Sequence, residues 1–462
     1  MEKNMDRSKT EELFAKASIK DAVIKNAVPA MLAMIMVLIY NLADTFFIGQ
    51  THDALQVAAV SLATPVFLIF MSVGNVFGIG GTSVISRALG EGRQEYARKV
   101  CSFCMWSCVA VGAVMTVCFL FGMDWILKIV GASENTWEYT KTYLTIVTWG
   151  GISVLISNCF ANIVRAEGKP GPAMAGQVIG NLLNVILDPI MIVGLGWGIR
   201  GAAIATVIGN VVAAVYYILF YLAGKSSLSI SPKHFAMNDR ILSGVLAIGI
   251  PASLGSLLMS VSQIIMQQRM AAYGDMAVAA AGVAQKVTMI TGMICMGIGN
   301  GVQPLLGYCI GAHLYDRFKK CLKFSVIFAF ILASCMTILC YIFTDQLVSL
   351  FLSDASAFSY GVQFVRILLT TSFLFGVFYV LCSSLQAVGA AVPALIVNLS
   401  RQGFIYIPAL FILQSIFGYS GLIWAQPAAD VLSTILVIVL YFHTAKKVLK
   451  HTEETEQAAV EA

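Results

Sequence analysis

Twelve apolar runs, each long enough to cross a bilayer, dominate this chain. They lie near residues 26–49, 57–86, 100–122, 140–163, 173–195, 201–223, 242–267, 276–308, 322–344, 360–384, 394–416 and 421–443. A helix rises ~1.5 Å per residue, so ~20 apolar residues span the hydrocarbon core. Backbone in hydrocarbon must satisfy its own hydrogen bonds, which leaves helices as the spanning form. The expected fold is therefore an all-α polytopic membrane protein with twelve transmembrane helices. Composition agrees: 11% of the 462 residues are charged and 58% are hydrophobic, whereas soluble domains carry ~25% charged residues. The first 25 residues are polar, so they do not read as a secretory signal peptide.

The basic residues orient these runs. An even number of spans puts both termini on one side. With the termini inside, 22 of the 29 Lys and Arg residues fall in inner segments and four in outer ones; Lys286, Arg366 and Arg401 lie within runs. This bias predicts that both termini lie in the cytoplasm. The net charge of +5 follows the same membrane pattern and points to no nucleic-acid partner. The eleven cysteines sit mostly in or beside apolar stretches, where they read as small buried hydrophobes rather than disulfides or metal ligands.

The chain also repeats itself. Shifted by 221 residues, Gly78, Gly90, Arg98 and Lys99 fall on Gly299, Gly311, Lys319 and Lys320. The same shift puts Gly168, Pro172 and Ala173 on Gly389, Pro393 and Ala394. At 220, Gly198, Gly201 and Ala205 fall on Gly418, Gly421 and Ala425. The expected plan is a cytoplasmic tail (1–25), a first six-helix lobe (26–223), a cytoplasmic linker (224–241), a second lobe (242–443) and a cytoplasmic tail (444–462). Six is even, so the two lobes run in the same direction, as parallel repeats do. A cleft between them is the expected substrate path.

Acids inside a span cost at least ~2.5 kcal/mol at a helix centre, so function is the first reading for each. Only Asp44, Asp188 and Asp430 lie within runs. By residue count from their helix starts, Asp44 on helix 1, Asp188 on helix 5 and Thr206 on helix 6 share one depth in the outer half of the first lobe. Helix 5 presents Gln177, Asn181, Asn184 and Asp188 on one face, and helix 1 adds Tyr40 and Asn41. Carboxylates, amides and a hydroxyl make a set of hard oxygen ligands, suited to Na⁺ or to carrying a proton. Helix 7 shows Ser256, Ser260, Gln263 and Gln267 on one uncharged polar face, expected to line the cleft. Pro29 in helix 1 has a partner in Pro251, and a kink there would suit a hinge.

No Walker A segment, HExxH pattern or GxSxG elbow occurs, which argues against an ATP-driven pump and against an enzyme. No cofactor is expected beyond a coupling ion.

Three stretches carry a resemblance: YNLADTFFIG at 40–49, RAEGKP at 165–170 and NLLNVILDP at 181–189. Together with the repeat, they make the chain resemble the multidrug and toxic compound extrusion (MATE) family, in its branch of MepA-like and DinF-like bacterial proteins. The resemblance implies a V-shaped pair of lobes and a secondary antiporter. Inward Na⁺ or H⁺ would drive export of organic, often cationic and amphipathic drugs by a monomer. It also implies that Asp44, Asn184, Asp188 and Thr206 form the cation site, with Tyr40 beside it and Pro29 as the bending proline. Other family members use acids on helices 7 and 10. Here helix 7 has Gln263 and Gln267, and helix 10 has Arg366. The alternative is a lipid-linked oligosaccharide flippase of the same superfamily; such proteins favour a basic cavity.

Overall fold

The structure is a computed structural model that describes residues 10–51, 53–237, 240–351 and 355–461. Residues 1–9 of the expected N-terminal tail, 238–239 of the linker and 462 of the C-terminal tail lie outside the described residues. Among the described residues the secondary structure is helical throughout. Among the described residues ten helices are long and apolar enough to cross a membrane, or up to twelve spans when each of two bent pairs counts as one.

The first half contains Ile19–Gly49, Ala54–Gly90, Gln94–Phe121, the bent pair Glu134–Trp149 and Gly151–Ala166, then Pro170–Asp188 and Ile199–Leu222. The second contains Ile241–Ala271, Asp275–Gly311, Tyr315–Ile342, the bent pair Ala355–Ser372 and Leu374–Val388, then the broken span Ala391–Leu399 with Tyr406–Phe417, and Tyr419–Glu461. These are spans 1–6 and 7–12. The third spans of the two halves share an offset of 221 at both ends. So do the short helices that follow them, Met123–Val130 and Thr344–Ser349, at their starts. The turns repeat as well. Gly168 and Gly389 have φ of 82° and 80°, and Gly198 and Gly418 have φ of 52° and 61°. Glycine takes this left-handed region without a Cβ clash, which is why the same residue recurs at both places.

Four spans differ from the continuous runs expected. Span 4 begins at Glu134 and bends by 56° between Trp149 and Gly151. The absence of side chains at Gly150 and Gly151 lets Val207 and Phe70 press against the backbone there. Span 10 bends by 46° between Ser372 and Leu374. Span 5 changes to a π-helical turn, Pro189–Gly194, directly after Asp188. Proline lacks the N–H that would continue the α-helical ladder, so the backbone widens at that residue. Span 11 widens at a different level, over Ser400–Phe404. Pro29 and Pro251 lie inside continuous α-helices.

Spans 1, 2, 7 and 8 join the halves: span 1 packs on span 8, and span 2 on spans 7 and 8. Their crossings are backbone-close. Gly249 meets the Val76 carbonyl, Gly80 meets that of Val245, and Gly311 meets that of Arg87. The Ser253 hydroxyl donates to the Ser72 carbonyl at 2.7 Å, and Ser83 donates to that of Gln386. Towards the other end the same helices carry exposed polar side chains, among them Asn41, Thr45, Ser61, Thr64, Ser256 and Gln267. Polar groups within spans face water or protein rather than lipid. The halves thus close at one end and part towards the other.

The closed end is also the basic end. Arg317 donates to the Phe14 and Ala17 carbonyls at 2.6 and 2.7 Å, and Thr10 donates to the Glu167 carbonyl at 2.9 Å. Phe14 is fully buried between Gly168 and the Tyr308 ring. The N-terminal segment therefore straps the two halves together. Glu167, just past span 4, is buried and accepts from the hydroxyls of Ser226 and Ser227 and from the Ser227 amide, with Lys169 at 3.5 Å. This clips the linker to the first half. The cysteines fit the hydrophobe reading: all eleven are free, and all but Cys118 and Cys335 are buried.

Burial holds the Glu167 pKa above the ordinary carboxylate range, against the opposing pull of Lys169 and the serine donors. The folded state therefore binds this proton more tightly than the unfolded state, and stability falls as pH rises through the window above the ordinary value of about 4.3. The Glu167→Gln protein should lack this slope. Thermal unfolding in detergent at stepped pH, read as wild type minus variant, checks it; a flat difference contradicts it.

Candidate functional site

Spans 5 and 6 cross glycine to glycine. A Cβ on Gly209 would stand 2.7 Å from the Gly180 carbonyl oxygen and 3.3 Å from the Asn184 Cβ. That contact sets Asn184 opposite Thr206, and the Asn184 amide points to the Thr206 hydroxyl at 3.4 Å. Below them Asn210 donates to the Thr206 carbonyl at 2.9 Å and accepts from Ser157 at 2.8 Å. Asn184, Asp188 and Thr206 are each at most 2% exposed.

Span 1 packs along span 5 and brings Asp44 into the field of Asp188. Tyr40, one turn before Asp44 on span 1, lies in the field of Asp44 and Asp188. The sequence-based set of Asp44, Asn184, Asp188, Thr206 and Tyr40 is thus gathered in one place. Tyr143, from the bent span 4, joins it: its phenol contacts Thr206 and lies in the field of Asp44 and Asp188. Sequence reading missed Tyr143 because it is one of 16 tyrosines with no periodic partner. Its position depends on the span 4 bend.

Both Asp188 carboxylate oxygens, Asp44 Oδ1 and Asn184 Oδ1 are buried without a hydrogen-bond donor; Gln177 Oε1 is too, but about three helical turns away along span 5. Buried acceptors are nearly always paired, and an unpaired buried carboxylate costs several kcal/mol. Such a cluster of oxygens is stabilised by a proton or a hard monovalent cation. Among the described residues no group of three or more His, Cys, Asp or Glu side chains gathers as a metal cluster. The donor set here is two carboxylates with amide, hydroxyl and phenol oxygens.

The other sequence candidates flank this cluster or lie apart from it. Asn41 is exposed and donates to the Val37 carbonyl of its own helix. Asn181 is half-buried beside the cluster on span 5. Ser256 and Gln267 are exposed and Ser260 and Gln263 half-buried, all on span 7 where the halves part. The remaining charges within spans find partners. Asp430 pairs with Arg401 at 2.9 Å, Arg366 with Asp345 at 3.4 Å, and the Lys286 ammonium lies 5.5 Å from the Phe351 ring.

A family model, MatE, matches twice, over residues 29–190 and 251–412. The chain belongs to the MATE family. The two matches are 222 residues apart at both ends, in step with the internal repeat. The chain is 32% identical to the multidrug export protein MepA of Staphylococcus haemolyticus (strain JCSC1435), over 94% of this chain and 96% of that one. It is 30% identical to the MepA of Staphylococcus aureus (strain MSSA476), over 96% and 97%. A crystal structure of MATE in complex with MaL6 superposes with a TM-score of 0.91 at 23% identity, covering 96% of this chain and 99% of that one. An outward-facing multidrug resistance MATE transporter of the MOP superfamily superposes with a TM-score of 0.90 at 23% identity, covering 96% and 98%. This MATE protein is a multi-pass membrane protein of a transporter family, and its fold is the MATE fold.

Gly209→Ala forces spans 5 and 6 apart at the cluster. It should cost about 1–3 kcal/mol, the usual cost of overpacking. Gly171→Ala, where a Cβ would meet nothing within 4 Å, should match wild type or exceed it slightly. Parallel thermal unfolding of the two variants checks this, and equal stabilities count against the crossing.

Proposed function

We propose that the protein is a secondary active multidrug efflux antiporter in which an inward-moving Na⁺ or H⁺ drives organic, often cationic, amphipathic drugs outward. The observation that carries this reading is the set of donorless oxygens on Asp44, Asp188 and Asn184. A transported cation supplies what they lack. Thr206, Tyr40 and Tyr143 border the same space and are the neutral partners that hold or relay it. The names of the MepA relatives support the cargo.

The basic end is the cytoplasmic end on the positive-inside rule, with both termini there and the protein in the bacterial cell membrane. The halves close at that end, so the described state faces outward. Drug binds in the opening, in reach of Tyr40, Asn41, Gln177 and Asn181 on the first half and of Ser256, Ser260, Gln263 and Gln267 on span 7. Cation binding neutralises the two acids, span 1 bends at Pro29, and the first-half cavity shrinks to expel drug. Release of the cation to the cytoplasm accompanies the return to the inward-facing state. The protein works as a monomer and needs no other cofactor.

The test is exchange in proteoliposomes with separately imposed Na⁺ and pH gradients, with ethidium as the organic cation. Asp44→Asn and Asp188→Asn should each lower gradient-driven ethidium movement about 10- to 100-fold, the size of an ordinary coupling free energy of ~1–3 kcal/mol. Wild-type rates in either correctly folded variant would refute the reading.

A further inference from the structure

The two halves treat the same region in opposite ways. The Gly198 and Gly418 turns set an offset of 220 for spans 6 and 12, so Thr206 falls on Gln426 and Asn210 on Asp430. Arg401 lies on span 11 between the 221-offset turn at Gly389 and the 220-offset turn at Gly418. It therefore stands at the level of Gly180 and Asn181, where spans 5 and 6 cross. At the offset of 222 that Pro29 and Pro251 share, Asp44 falls on Met266, which is buried. Asp188 falls on Pro408 or Ala409. The second half thus lacks a carboxylate at both first-half acid positions and carries one acid in place of Asn210.

That acid is fully served. Asp430 Oδ1 accepts from Arg401 Nε and from Gln426 Nε2, both at 2.9 Å, and Oδ2 accepts from Thr371 at 3.3 Å. Arg401 donates a second bond to the Tyr379 hydroxyl at 3.0 Å. Its guanidinium lies 4.5 Å from the Phe375 ring and 5.3 and 5.4 Å from those of Phe378 and Tyr379. Asp430 is 2% exposed and Arg401 9%. Neither Asp430 oxygen is left without a donor, whereas both Asp188 oxygens are.

We propose that Arg401 is a tethered cation that does for the buried acid of the second half what a mobile cation does for the acids of the first, so that only the first half exchanges cations with solution. This rests on the coupling role read above for Asp44 and Asp188. The aromatic faces and the carboxylate make a cage suited to a cation, and the guanidinium occupies it from within the chain. Without Arg401, the oxygens of Asp430, Thr371, Gln426 and Tyr379 form a vacant buried site that must draw a proton or Na⁺ from solution, because an unpaired buried carboxylate is not tolerated.

The experiment compares full-length wild type, Arg401→Gln, Arg401→Lys and the double variant Arg401→Gln/Asp430→Asn in lipid nanodiscs. Cation content is read two ways: the infrared carbonyl band of a protonated carboxyl, and equilibrium binding of radiolabelled Na⁺. Arg401→Gln should gain one cation per molecule, as a proton or as Na⁺, over both wild type and the double variant. Arg401→Lys keeps an internal cation and should gain none. The idea is overturned if Arg401→Gln gains neither cation, or if Arg401→Lys gains as much. Should Arg401→Gln not fold, the double variant decides, because it removes both charges together. It should keep wild-type cation binding and cation-driven ethidium export, and loss of either in monodisperse protein overturns the proposal. Failure of the first-half reading is seen separately, as unchanged cation binding in Asp44→Asn and Asp188→Asn while the Arg401 variants still behave as stated.

Discussion

Charge in hydrocarbon has to be neutralised, and the difference between the two halves of this protein follows from how each meets that demand. In the first half, Asp188 and Asp44 present buried oxygens with no donor from the protein. In the second, Asp430 is enclosed by Arg401, Gln426 and Thr371. Both arrangements are built on the same backbone repeat, down to the left-handed glycines that start their fifth and sixth spans. The fold gives the two halves the same frame, and the side chains leave donorless acid oxygens in one and a paired acid in the other.

Small residues make this arrangement possible. Close approach of membrane helices needs backbones without intervening side chains. The Gly180–Gly209 crossing sets the distance between Asn184 and Thr206. The crossings at Gly80, Gly249 and Gly311 hold the halves together towards the basic end. The N-terminal strap and the Glu167 clip add polar links there. Closure at one end and separation at the other is the geometry that alternating access requires of two lobes around a central path.

Much of the site was legible before the structure, for a simple reason. Helical periodicity and residue count fix the face and depth of a side chain on a straight span. Asn184 and Asp188 share a face of one helix, and Thr206 lies on the next helix at matching depth. Tyr143 escaped because a bend of 56° sets where it points, and apolar run length carries no signal of a bend. The π turn after Asp188 follows from Pro189, but the π turn at Ser400–Phe404, at a different level of span 11, contains no proline and has no such signature. The partner of Asp430 was also out of reach: Arg401 is 29 residues away in sequence and on a neighbouring helix.

The sequence by itself determined the solvent, the number of spans and the repeat, because hydrophobic length and composition answer to the bilayer and duplicated residues keep their spacing. It also nominated the acids, because a carboxylate in an apolar run is too costly to be incidental. Only the tertiary structure decided which acids are paired and which are left with bare oxygens. Hydrogen bonds reach ~3 Å, and a separation that small between residues on different helices is set by how those helices bend and cross, not by where the residues stand in the chain.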